Sequence, residues 1–272
     1  MKFSVLMSVY AKEQPEFFAL ALKSNLDDQT LCPDEMVLVC DGPLTQELDE
    51  VIQVYTDKYP NVLNVFRLPE NGGLGKALNY GLEQCQYDWI ARSDSDDVCD
   101  SRRFETQIAY LKGHPDVDVL GTYIDEFESD WEAPFRKKEM PQRHSEIVRM
   151  AKRRNPINHM TVMFRKSAVV EAGSYQHLPY MEDYFLWVRA ICGGAKLENL
   201  DQYLVHARVG NGMARRRGNR AQIASRRELN NYMVKHGMLR KLDAAMNMIY
   251  VVGFTCCPNR VRKFVYNTLL RV

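Results

Sequence analysis

Four short apolar runs set the pattern of the first hundred residues: Phe3–Val9, Glu35–Cys40, Val62–Leu68 and the stretch closing at Ser93-Asp94. Helical periodicity fills each gap between them. Pro15 stands where a helix would begin and Phe17 to Leu26 supplies it. Thr45 caps the next, whose Leu48, Val51, Ile52, Tyr55 and Tyr59 share one face. Ala77, Leu78, Leu82 and Cys85 mark the third. A β-α-β-α-β-α-β alternation predicts an α/β fold, a mainly parallel sheet flanked by helices on both faces.

Charge is concentrated most sharply at Asp94-Ser95-Asp96-Asp97, three carboxylates within four residues at the end of the fourth run. Acids this close repel unless solvent, a cation or a function offsets the cost. The carboxyl end of a parallel strand is also where open α/β sheets bind ligands. A hard divalent cation, Mg2+ or Mn2+, bridging one or two of these oxygens to a substrate phosphate would relieve the repulsion. An EF-hand loop starting at Asp94 fails, because Val98 and Cys99 occupy positions that need an oxygen ligand and a glycine. A phosphatase of the haloacid-dehalogenase type fits DxDx(T/V) at Asp94 to Val98 and stays open as a second reading. It is disfavoured by the ninety residues of α/β pattern that come first.

Asp41 and the turn Asn71-Gly72-Gly73-Leu74-Gly75-Lys76 also lie just past strand ends. A parallel sheet would carry them to the same edge as the acidic run, the edge that binds nucleotides. Asp41 is placed to accept from a base or ribose, the glycines admit close backbone approach, and Lys76 can meet a diphosphate. Further on, a helix from Ser101 to Lys112 and a strand from Val117 to Phe127 give way to irregular, polar sequence through Arg154. A short strand at Thr161–Phe164, a helix at Glu182–Cys192 and a last strand at Gln202–Arg208 follow. Glu182-Asp183 opens its helix, where acids complement the dipole or where one can serve as a general base. His159 is a lone histidine, more often structural than catalytic.

The chain of 272 residues carries a net charge of +1 that hides a division. From His206 onward 14 Lys or Arg face only Glu228 and Asp243, a net +12, and the preceding 205 residues carry −11. A basic tail on an acidic body points to an anionic surface or substrate. Met248 to Cys257 is apolar but too short to span a bilayer. Beyond Pro258, Val261, Phe264, Val265, Thr268, Leu269 and Val272 form one face of a basic amphipathic helix suited to an anionic membrane. Seven cysteines without a CxxC pair, and an N-terminus lacking a cleavage site, point to an intracellular chain without disulfides or a signal peptide.

In order, FSVLMSVY, VLVCDG, ENGGLGKALNYGL, the strand ending DSDD, NPINHMTVMFRKS and MEDYFLWVRA resemble glycosyltransferase family 2 and its GT-A fold. Arg208-Val209-Gly210-Asn211-Gly212-Met213 with Arg215-Arg216-Arg217 resembles the bacterial members that build O-antigen and exopolysaccharide repeat units. The resemblance covers nearly the whole chain. It implies inverting transfer of a hexose from a UDP-sugar to a lipid-diphosphate-linked saccharide, at the cytoplasmic face of the inner membrane and with no nucleic acid partner. By position it implies Ser8, Tyr10, Glu13 and Asp41 along the uridine. Lys76, Asp94 and Arg215 would hold the nucleotide, Asp96 with Asp94 the metal, and Asp183 would be the base with Glu182 beside it. Gly210 stands where many members carry a histidine, and Cys40-Asp41 replaces the usual Asp-Asp, leaving one carboxylate. It further implies a catalytic domain over 1–210, its nucleotide half 1–100 and acceptor half 101–210, and a basic helical extension over 211–272. A non-enzymatic reading, nucleic-acid binding through the tail, lacks the interleaved aromatics of a single-strand platform.

Overall fold

The computed structural model describes residues 1–210 and 221–256, with side chains through residue 253. Arg215, its neighbours Arg216 and Arg217, and the predicted helical face from Val261 to Val272 lie outside the described residues.

β1 (Phe3–Val9), β2 (Glu35–Cys40), β3 (Leu63–Arg67) and β4 (Trp89–Ser93) form one parallel half-sheet in the order β3-β2-β1-β4. α1 (Pro15–Leu26), α2 (Gln46–Lys58) and α3 (Leu74–Gln84) are the crossovers. The period of two explains how uninterrupted apolar runs serve both faces. Val5, Met7 and Leu38 point to the side covered by α1 and α2, where Phe18, Leu22, Leu48 and Ile52 meet them. Leu6, Val37 and Val39 point to the side covered by α3 through Ala77 and Leu78. Gly81 lets α3 approach closely, since a Cβ there would lie 2.5 Å from Leu6 Cδ1 and 2.7 Å from Val39 Cγ2.

The second half is mixed, a difference from the mainly parallel expectation. β5 (Val98–Cys99), α4 (Arg103–Gly113), β6 (Val119–Phe127) and β7 (Arg136–Lys138) lead to α5 (His144–Ala151). β8 (Met163–Arg165), α6 (Lys166–Glu171), α7 (Glu182–Cys192) and β9 (Leu197–Arg208) complete it. β8 enters antiparallel between β4 and β6, β6 and β9 run parallel, and β5 closes the edge antiparallel to β9. Residues 159–161 form a 3-10 turn where a strand was expected to start, because the Asn158 carbonyl accepts from both the amide and the hydroxyl of Thr161. The stretch read as irregular contains α5, which buries only Ile147 and Ala151, too few apolar residues to leave a periodic signal.

Two helices follow, α8 (Ala221–Lys235) and α9 (Lys241–Cys256), the second taking in most of the apolar run from Met248. Leu229 and Met233 of α8 share a core cluster with Ala151, Tyr184, Phe185 and Val188. Thus α8 is packed into the body of the protein through α5 and α7.

Candidate active site

Ser8 and Tyr10 stand at the end of β1, where the Asp41 amide donates to the Val9 carbonyl at 2.8 Å and draws β2 alongside. The Asp41 carboxylate accepts the backbone N–H of Gly72 at 2.7 Å and of Gly73 at 3.0 Å. It therefore holds the glycine turn. Gly42 requires its glycine, with φ at +87° and a Cβ position 2.7 Å from the Asn71 nitrogen. α3 starts at Leu74 directly after Gly73, without a side-chain cap, and the Lys76 stem folds back over Gly72. At Gly75 a Cβ would lie 3.7 Å from Tyr175 Cβ and 4.0 Å from Glu182 Cγ, so the first turn of α3 abuts the start of α7.

The loop after β4 brings one oxygen each of Asp94, Asp96 and Asp97 within 4.8 Å of one another. Arg92 points inward from β4 and is 2% exposed, and its guanidinium grips both Asp94 oxygens. Asp97 accepts the Arg208 amide on Oδ1 at 2.8 Å, while its buried Oδ2 has no partner. The Arg208 Nε donates to the Asp96 carbonyl at 3.1 Å, and its guanidinium lies 3.7 Å over Phe17. Glu13 accepts the Ser95 hydroxyl at 2.7 Å, tying the end of β1 to the same loop.

Burial, Asp94 and Glu13 push the Asp96 carboxyl up to about 7, and burial with Asp94 and Asp96 raises Asp97 well above the usual range. A cation relieves such a cluster of its repulsion, and the orphaned Asp97 Oδ2 offers a hard donor; the residues present fit a divalent ion.

Asp183 lies in the first turn of α7 and accepts the Asn155 side-chain amide on Oδ2 at 2.6 Å. Burial raises its carboxyl, opposed by the Tyr184 backbone, Asn155, Arg92 and Lys138. Beside it, burial also raises Glu182. His159 bonds through Nε2 to the Tyr175 hydroxyl at 2.8 Å and is kept neutral by burial and by Arg92. Arg92 bonds Asp94 directly, and its charge also bears on Asp96, Asp97, Tyr175, His159 and Asp183. The acidic loop and the α7 acid share the field of one buried cation. His206 pairs with Val98 between β9 and β5, its Nδ1 2.7 Å from Asp125 and its ring packed on Trp131.

Sequence reasoning gave Arg92, Asn155 and Arg208 no role of their own, although Asn155 and Arg208 open two of the motifs that carry the family resemblance; Arg92 left its own signal, a charge inside a buried run, two residues before Asp94 and so on the same face of the strand.

A family model described as glycosyl transferase family 2 matches residues 4–172. The amylovoran biosynthesis glycosyltransferase AmsE of Erwinia amylovora is 44% identical over 97% of both chains. A glycosyltransferase of Haemophilus influenzae is 40% identical over 100% of both. The UDP-Gal:alpha-D-GlcNAc-diphosphoundecaprenol beta-1,3-galactosyltransferase of Escherichia coli is 34% identical over 99% of this chain and 97% of that one. Among solved structures, S. aureus TarS 1-349 in complex with UDP-GlcNAc superimposes with a TM-score of 0.66 at 20% identity, covering 99% of this chain and 77% of that one. The mannosyltransferase PcManGT of Pyrobaculum calidifontis, in complex with GDP-Man and Mn2+, gives 0.64 at 13% identity, over 96% and 71%.

Proposed function

The chain belongs to glycosyltransferase family 2 and has the GT-A fold, and from that premise we propose that it moves a hexose from a UDP-sugar to a hydroxyl of a lipid-diphosphate-linked saccharide, with inversion. The product belongs to bacterial surface polysaccharide, O-antigen or exopolysaccharide. The reading draws support from the E. coli relative, whose name gives a UDP-sugar donor and a diphosphoundecaprenol acceptor, and from AmsE. One observation carries it: Asp94, Asp96 and Asp97 cluster past the end of β4 on the same sheet edge as the glycine turn held by Asp41, and the first turn of α3 that follows this turn abuts Glu182, next to Asp183.

The nucleotide half is 1–100 and the acceptor half 101–210. Ser8, Tyr10 and Glu13 border the uridine, and Asp41 shapes that side by holding the glycine turn. Lys76 meets the diphosphate, with Arg215 from the basic extension, while Asp94 braces the loop through Arg92. Asp96, with Asp94 and Asp97 beside it, would hold Mn2+ or Mg2+, which would supply charge stabilisation to the departing diphosphate. Asp183 takes the proton from the acceptor hydroxyl, and its raised affinity for protons makes it a better base than an ordinary carboxylate. The acceptor oxygen bonds to the anomeric carbon, the bond from that carbon to the UDP oxygen breaks, and UDP leaves with the electron pair. Attack from the face opposite UDP inverts the centre. The enzyme works peripherally at the cytoplasmic face of the inner membrane.

The test is Asp183→Asn with UDP-galactose and a GlcNAc-diphosphate-lipid as the first pair. Transfer should fall by roughly 10³-fold while UDP affinity stays near that of the unaltered enzyme. Retained transfer would remove Asp183 from the role of base.

A further inference from the structure

α9 is built inside out. Its protein-facing side carries Asn247, whose amide donates to the Lys152 carbonyl at 2.8 Å, and Ala244, whose carbonyl accepts the Asn230 amide at 3.3 Å. Its outward side is apolar: Leu242 is 71% exposed, Met246 59%, Ile249 67% and Val252 40%, at spacings of four, three and three residues. Helices on soluble proteins turn such a stripe inward. Among the described residues no helix is long and apolar enough to cross a membrane.

The stripe is bordered by cations. Lys241 is exposed at the start of α9, and exposed Arg153 and Arg154 follow α5. Arg153 and Arg154 lie beside the helix, because its Asn247 amide bonds the carbonyl of Lys152, the residue just before them. An apolar helical face edged by guanidinium and ammonium groups complements a bilayer surface with anionic headgroups.

We propose that the outward face of α9 lies in the boundary between headgroups and acyl chains of an anionic bilayer, with Arg153, Arg154 and Lys241 against lipid phosphates. The purpose of this surface rests on the reading of the acceptor as lipid-linked. Arg154 is followed in the chain by Asn155, whose amide holds Asp183. The docked surface thus adjoins, along the backbone, the side chain that holds the proposed base, which brings the acceptor side of the cleft toward the plane where a lipid-anchored sugar is found.

The full chain is tested by flotation with vesicles of phosphatidylglycerol and phosphatidylethanolamine, and with phosphatidylcholine alone. The unaltered protein should float with the anionic vesicles. The variant Leu242→Ser/Met246→Ser/Ile249→Ser should lose at least about tenfold in vesicle affinity. It should keep its mass in solution, its thermal midpoint and its transfer rate to a short-chain, water-soluble acceptor. Arg153→Glu/Arg154→Glu, which leaves the apolar face intact, should lose the preference for anionic lipid. Three results overturn the proposal: no flotation of the unaltered protein, flotation of the triple serine variant at full strength, or a halving of particle mass by the serines, which would make the face a contact between two copies. Failure of the transferase reading looks different, as flotation without transfer to any acceptor.

Discussion

The most exposing test of the acidic loop is Asp96→Asn, because it should stabilise the metal-free protein while disabling it. The native carboxyl binds its proton up to about pH 7 against an ordinary value of 3.8. At pH 8 it is ionised in both states, and the native charge is held against burial, Asp94 and Glu13. The sign follows: a raised native value gives stability that is full below pH 3.8 and lost as pH climbs through 7. The whole displacement corresponds to at most about 4 kcal/mol at pH 8 and to about 1.7 kcal/mol at pH 5, where the native acid is still protonated. An asparagine carries no charge at either pH. Urea denaturation in EDTA should therefore show Asp96→Asn more stable than the unaltered protein at pH 8, by about 2–3 kcal/mol more than at pH 5. Added Mn2+ should raise the midpoint of the unaltered protein at pH 8 and leave that of the variant in place. A variant that is less stable at pH 8, or whose stability difference ignores pH, would show that repulsion does not govern this loop.

Asn155→Ala removes a hydrogen bond to the ionised form of Asp183. The acidic limb of the kcat–pH profile should move to higher pH, with kcat at neutral pH down by about tenfold. Asp41→Asn can accept only one of the two glycine amides through a single oxygen. KM for the nucleotide sugar should rise by about tenfold with a smaller change in kcat, read from steady-state kinetics. Arg226 is 4% exposed and donates to the Arg153 carbonyl at 2.8 Å and to the Tyr184 hydroxyl at 3.2 Å. Arg226→Ala should cost about 3 kcal/mol in urea unfolding by stranding those acceptors.

The first hundred residues were legible because their physics is local. Each strand there is a continuous apolar run, each helix has one apolar face, and each candidate site residue sits at the next strand end. Asp41, the Gly72 turn and the Asp94–Asp97 run could be assigned to one edge before any coordinates. What Asp41 and Asp94 bond to was not legible. Both carboxylates spend their oxygens inside the protein, on the glycine amides and on Arg92, and these partners are fixed by three-dimensional packing. The second half was harder, because β8 inserts between β4 and β6 against chain order and α5 buries only two side chains. Asn155 reaches Asp183 across 28 residues, a separation no periodicity encodes.

Arg226 ties α8 to the carbonyls of Lys152 and Arg153, just ahead of Asn155, and the Tyr184 hydroxyl that it also touches is one residue past Asp183. Trimming the polypeptide after the last strand, at residue 210, would uncover the apolar seam of Leu229 and Met233 and release the grip on both flanks of the proposed base at once. A shortened enzyme obtained that way should recover folding and turnover together when the missing peptide is supplied in trans, as complementing fragments do, whereas a detachable anchor would affect neither.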